Sequence, residues 1–172
     1  MIKSLLLSVL LLITNLIYSQ SVEIFDKVNS VYDEQSPVIS PDGRTLYFTR
    51  ANDPQNVGGE SDPGDIWYSL LQPDGQWSTP QNATVLNNRN WNGVLGFVGG
   101  SDAIYLYNHY SSTGETTNTF GISRSIKTTA GWSIPENYTI PYFTTNSKMH
   151  GGYISSDAST AVFSLDSYGT KG

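Results

Sequence analysis

The chain has 172 residues, 9 of them basic and 15 acidic, for a net charge of −6. An acidic chain with no basic stripe repels phosphate backbones, which argues against a nucleic-acid partner. There is no cysteine, so no disulfide framework is available and the fold must rest on a hydrophobic core.

The N-terminus predicts export. Lys3 supplies a positive start, Leu5 to Ile17 form a short apolar run, and Tyr18, Ser19 and Gln20 follow, which is the layout of a signal peptide over residues 1–20. The run is shorter than the ~20 apolar residues of a spanning helix, so no transmembrane span is expected in the mature chain. A lipid-modified N-terminus is not expected without a cysteine after the run. A cysteine-free exported chain fits the periplasm or outer membrane of a Gram-negative bacterium better than an animal extracellular space. The sequons at Asn82 and Asn137 would matter only in a eukaryotic host.

Beyond a lead-in strand expected over residues 21–33, short apolar runs alternate with turn residues. Val38-Ile39, Leu46 to Thr49 and Asp65 to Leu71 read as strands, and Gln76-Trp77 as the start of a fourth. Ser40-Pro41-Asp42-Gly43 and Pro73-Asp74-Gly75 supply the turns, Pro presetting φ and Gly tolerating positive φ. Ala103 to Tyr107, Phe120 to Arg124 and Phe163 to Asp166 continue the pattern. No helical stripe of useful length interrupts it, so the fold class is all-β.

The chain also repeats itself. Ser40 to Phe48 recurs as Ser155 to Phe163, with a weaker copy at Val98 to Leu106, so that Tyr47, Tyr105 and Val162 stand 58 and 57 residues apart. Trp77-Ser78-Thr79-Pro80-Gln81-Asn82 recurs 55 residues later as Trp132-Ser133-Ile134-Pro135-Glu136-Asn137. Two motifs sharing nearly one period, with about four strands per unit, predict β-propeller blades of four-stranded antiparallel sheets. Blade 1 spans about 34–86, blade 2 about 91–145 and a partial blade 3 about 148–172. About two and a half blades are therefore present within 34–172, and the counterpart of Asp65-Ile66-Trp67 is missing after the third. The chain is thus expected to be cut off, and residues 21–172 alone are expected to self-associate or melt non-cooperatively through a bare edge.

Ser36 to Phe48, Asp65-Ile66-Trp67-Tyr68-Ser69 and the Trp-Ser-x-Pro elements resemble the WD40-like, TolB-type propeller repeat of bacterial envelope proteins, from about Val28 to the end. The resemblance implies a propeller that often precedes a peptidoglycan-binding OmpA-like domain or sits in outer-membrane assemblies. Related propellers also cap some serine peptidases.

Candidate chemistry is sparse. There is neither a Gly-x-Ser-x-Gly element nor a phosphate loop. His109 and His150 fall in different blades and read as ordinary positions rather than a zinc pair. Asp53, Glu60, Asp62 and Asp65 share a Gly-rich loop that offers oxygen ligands for calcium, but the spacing matches no EF-hand and a solvated loop is the plainer reading. Trp77 and Trp132, at equivalent positions, read as buried packing residues. Trp91 with Tyr105, Tyr107 and Tyr110 is the candidate sugar platform. No catalytic, cofactor-binding or metal residue is assigned, no cofactor is expected, and contact residues are left open.

The expectation is a non-enzymatic envelope scaffold whose propeller binds another envelope protein through loops held on rigid blades. The alternatives are a propeller that binds peptidoglycan or another glycan, or the propeller part of a hydrolase whose catalytic domain lies elsewhere.

Overall fold

The computed structural model describes residues 25–111, 121–138 and 149–165. Residues 1–20, where an export signal is expected, residues 21–24, Phe120, the end of the second unit from Thr139, Lys148 and the stretch from Asp166 lie outside the described residues. Among those described, the regular elements are strands, with short 3-10 turns at Gly59–Ser61, Thr84–Leu86 and Gly99–Ser101. The protein is all-β, and its strand ladders are antiparallel. No helix among the described residues is long and apolar enough to cross a membrane.

The first sheet is a meander of β1 (Asp33–Ile39), β2 (Thr45–Ala51), β3 (Asp65–Leu70) and β4 (Gln81–Asn82), paired in that order. The second holds β5 (Val94–Val98), β6 (Ala103–Tyr107) and β7 (Ile122–Thr128), with β8 (Gly131–Trp132) and β9 (Glu136–Tyr138) both pairing with β7. The third is the pair β10 (Met149–Ile154) and β11 (Ala161–Leu165). Each sheet's first strand carries a register shift, between Gln35 and Val38, Val94 and Gly96, and Met149 and Gly151. Bulges of this kind bend and twist a strand locally.

Two turns recur bond for bond. At Ser40 the hydroxyl donates to Asp42 Oδ1 (2.6 Å) and accepts from the Thr45 amide (2.9 Å), while the Arg44 amide donates to Asp42 Oδ1 (3.0 Å). Ser155, Asp157, Ser159 and Thr160 repeat these bonds at 2.6, 2.9 and 3.0 Å. These hydroxyl and amide donors favour the charged carboxylate, holding Asp42 below the usual range and Asp157 down to about 2. The second recurrence closes the outer hairpin. Ser78 Oγ accepts from the Leu70 amide (3.0 Å) while Ser69 Oγ donates to the Ser78 carbonyl (2.5 Å). Ser133 and Ser125 do the same at the Ile126 amide (3.1 Å) and the Ser133 carbonyl (2.6 Å).

Two expected strands are placed differently. Phe25 to Val28 form a turn closed by Val28 and Asn29 amides on the Phe25 carbonyl, not a lead-in strand, and β1 begins only at Asp33. The Ser30 hydroxyl, bonded to Glu34 and to the Tyr32 amide, offers this polar stretch a turn in place of a ladder. Gln76-Trp77 contributes only an isolated bridge from Trp77 to Leu71, and the fourth strand is Gln81–Asn82. Pro80, which lacks an amide donor, lies between the two.

The sheets stack, and their cores alternate with them. Val28, Leu46, Phe48, Trp67 and Trp77 pack on the outer face of the first sheet. Tyr47 and Ile66 meet Val94, Phe97, Ile104 and Leu106 between the first and second sheets. Leu95, Tyr105, Tyr107 and Ile122 meet Ile154 and Phe163 between the second and third. β2 and β6 are covered on both sides, which is why Leu46-Tyr47-Phe48 and Ile104-Tyr105-Leu106 read as continuous apolar runs instead of alternating ones.

Candidate functional site

The joint between the first two sheets opens outward into a cleft of about 480 Å³, lined by Tyr47, Tyr68, Asn82, Thr84, Lys127 and Trp132 among others. Tyr47 and Tyr68 are cross-strand partners on β2 and β3, so both rings project from one face, with centroids 6.1 Å apart. Trp132 comes from the second sheet, held there by the Ser133 hairpin bonds, and its indole Nε1 donates to the Tyr47 hydroxyl at 3.1 Å. Phe97 backs the group, 5.6 Å from Tyr47 and 6.3 Å from Trp132.

The polar groups of the cleft are unequally engaged. Burial raises the Tyr47 phenol, offset in part by the Trp132 bond, so it stays neutral at physiological pH. Tyr68 donates to Gln81 Oε1 (2.7 Å). The Asn82 amide nitrogen donates to Asp65 Oδ2 (2.7 Å), and its oxygen accepts from Thr84 Oγ1 and Asn87 Nδ2, both at 3.0 Å. What the cleft offers a ligand is therefore apolar ring surface edged by the Lys127 side chain.

Behind it, the 53–65 loop spends the carboxylates of Asp53, Asp62 and Asp65 on its own closure, while Glu60 is exposed. Asp62 accepts from the Gly58 and Gly64 amides (2.8 and 2.9 Å), and Asp53 from the Gln55 amide and Arg50 Nη1 (2.9 and 3.3 Å). Asp65 Oδ2 takes the Val57 amide (2.7 Å) as well as Asn82, while its Oδ1 is buried with no partner. Burial outweighs these bonds, and nearby Asp62 and Asp53 add to it, so Asp65 is pushed up to about 6. No group of three His, Asp or Glu side chains that could hold a metal occurs among the described residues. Arg50 anchors the loop with Glu34 (2.9 Å), Asp53 and the Val28 carbonyl (2.9 Å), its guanidinium 4.5 Å from the Trp67 ring.

The candidate sugar platform is not assembled. Tyr105, Tyr107 and Tyr110 are all buried, and Trp91 packs edge-on to Tyr107 at 5.0 Å. Tyr110 donates to the Leu86 carbonyl (2.5 Å) and accepts from Asn92 Nδ2 (3.1 Å), which ties the first two sheets together. Trp77 is buried as expected, whereas Trp132 is only half-buried because it stands at the mouth of the cleft. His109 follows β6 and His150 lies in β10, on different sheets, and burial lowers the His109 pKa. Tyr47 and Tyr68 were not singled out by motif. The register of β2 with β3 is what pairs them, although the recurrence of Tyr at 47 and 105 marks a face that meets the next sheet.

Compared with protein-family models, with curated proteins and with solved structures, the chain matches none.

Proposed function

We propose that this is an exported, non-enzymatic binding module of WD40-like, TolB-type propeller repeats that engages another protein of the bacterial envelope. The repeat reading is supported by the two turn constellations, which return with the same donors and acceptors, the Ser-Asp turn in the first and third sheets and the serine-closed hairpin in the first and second. The binding reading is carried by one observation: Trp132 of the second sheet is bonded to Tyr47 of the first, and with Tyr68 the two line an open cleft spanning both sheets. Aromatic side chains with few free torsions give contact area at low entropic cost, and half-buried rings in a groove are what an anchoring side chain of a partner needs. The hairpins fix these rings before any ligand arrives, so little ordering remains to oppose binding.

A photo-reactive residue at Val85, an exposed position lining the cleft, tests this in the native host. A discrete protein adduct, lost when Tyr68→Ala is added, is the expected result. Crosslinking unaffected by Tyr68→Ala would sink the cleft as the site. A glycan reading draws on the same rings, since flat aromatic faces also stack on sugars. Retention on purified peptidoglycan, abolished by Trp132→Ala, would favour it over the protein partner.

A further inference from the structure

Lys127 is the one charged residue in the lining of the cleft. Its position in the sheet sets it apart from its counterpart in the first unit. Ser69 and Ser125 make the same bond to the hairpin serine, so the residues two further on, Leu71 and Lys127, are equivalent. Each stands opposite the hairpin tryptophan, Leu71 bridged to Trp77 and Lys127 paired with Trp132. Leu71 packs into the apolar cluster around Trp77. In the second sheet the same position carries an exposed lysine beside a half-buried indole.

The row that holds Lys127 faces the first sheet. Ser123 and Ser125 pair with Leu106 and Ile104, which pack between the two sheets, and side chains alternate along β7, so Lys127 shares their face. Its charge is also uncommitted. The salt bridges among the described residues are made by Arg50, with Glu34 and Asp53, and the cation–π contacts by Arg50 and Arg124. Asp42, on the first Ser-Asp turn, is near enough to feel the Lys127 charge but forms no ion pair with it, and its Oδ1 is taken by the Ser40 hydroxyl and the Arg44 amide.

We propose that the cleft takes an acidic protein segment, with an apolar side chain seated on Tyr47, Tyr68 and Trp132 and an Asp or Glu carboxylate beside it on the Lys127 ammonium. This rests on the reading of the cleft as a protein-binding site and adds the chemistry of the partner. The rings supply contact area without discriminating charge. The Tyr68 hydroxyl donates to Gln81 and both ends of the Asn82 amide are engaged, which leaves Lys127 as the group that reads it. One compact point charge suits one carboxylate and lacks the repeated cations that a phosphate polymer needs, and the net charge of −6 opposes such a polymer. Against that negative background a local cation fixes where an acidic segment can land, so its effect falls on specificity and association rate more than on affinity.

The probes are two blocked tripeptides, acetyl-Glu-Phe-Glu-amide and acetyl-Gln-Phe-Gln-amide. Each is titrated into the full chain while the indole N–H resonance of Trp132, assigned by its loss in Trp132→Phe, is followed. The acidic peptide is expected to bind on the order of threefold tighter at low salt, the range an exposed ion pair supports, and the gap should close as salt screens it. Lys127→Met should abolish the gap, Lys127→Glu should reverse it and Lys127→Arg should keep it, with circular dichroism melts unchanged because the side chain is exposed. Equal binding of the two peptides to the parent, or a preference that survives Lys127→Met, would overturn the acidic partner and leave the cleft standing. Shifts from neither peptide would overturn it as well, and the Val85 crosslink then decides the cleft by itself.

Discussion

Trp77 and Trp132 close the same hairpin in successive sheets, and each precedes a serine that bonds the hairpin shut in the same way. Their surroundings nevertheless differ. Trp77 lies on the first sheet's outer face with Trp67, Leu46, Phe48 and Val28 around it, and the N-terminal turn seals it. Trp132 lies on the corresponding face of the second sheet, where its cover is Tyr47 of the preceding sheet, and the seal is incomplete. Identical local structure thus yields a core residue in one unit and a cleft wall in the next, because the neighbour that covers the face is different.

The same units diverge opposite the end of the second strand. Arg50 pairs with Asp65 in the first sheet, whereas in the second the Asn108 amide donates to the carbonyl of Gly121 (2.8 Å), which stands where Asp65 would. The asparagines at 82 and 137 follow suit. Asn82 donates its amide to Asp65, while Asn137 turns its oxygen to the Tyr110 amide (2.7 Å) and the Ser123 hydroxyl (3.1 Å). One asparagine supports a carboxylate and the other a backbone amide, from the same place in the ladder.

The sharpest way to break the tryptophan comparison is to remove each ring. Trp77→Ala should cost about 3–5 kcal/mol, the range for emptying a large buried aromatic site. Trp132→Ala should cost about 1–2 kcal/mol, because a half-exposed ring returns only part of its burial energy. Urea denaturation of the two variants measures both. Equal losses would mean that the cleft is closed in solution and that the two positions are alike after all.

The next effect concerns Asp65. Its folded pKa of about 6 lies above the unfolded value of 3.8. Above pH 6 both states are ionised, and the folded state carries the full cost of a buried charge. As pH falls from 6 to 4 the folded state takes up its proton first, so this group makes the protein more stable by up to about 3 kcal/mol. Asp65→Asn should keep an acceptor for Val57 and Asn82 while removing that slope. Chemical melts at pH 4, 5, 6 and 7 compare the two proteins, and a slope that survives the substitution would assign it to other groups.

The smallest effect separates the two Ser-Asp turns. Gly43 sits at φ 71° and Ala158, in the matching turn, at φ 57°, where a side chain is disfavoured. Gly43→Ala should therefore destabilise by about 1 kcal/mol, and Ala158→Gly should be neutral or stabilising by about the same amount. Thermal melts of the pair decide it, and the same sign for both would show that the turns are not interchangeable.

Much of the fold was legible because its signals are local. Ser40-Pro41-Asp42-Gly43 and Trp77-Ser78 write their turns in side-chain hydroxyls, a carboxylate and a glycine within a few residues, and their copies at Ser155 and Ser133 carry the same information. Aromatic and β-branched runs between them determined short strands and an all-β class. The lead-in stretch was misread because its strand propensity lost to the hydroxyl of Ser30, a contest that composition does not settle. Tyr105, Tyr107 and Tyr110 looked available for binding, yet which face of a strand is covered depends on a neighbouring sheet dozens of residues away. The sequence alone therefore determined the recurring turns and the strand class, since each rests on bonds between near neighbours. Only the tertiary structure decided which tryptophan is core and which lines a cleft, why Asp65 is raised above the usual carboxylate range, and how the sheets stack, because burial is a property of what packs on a face rather than of the residues in it.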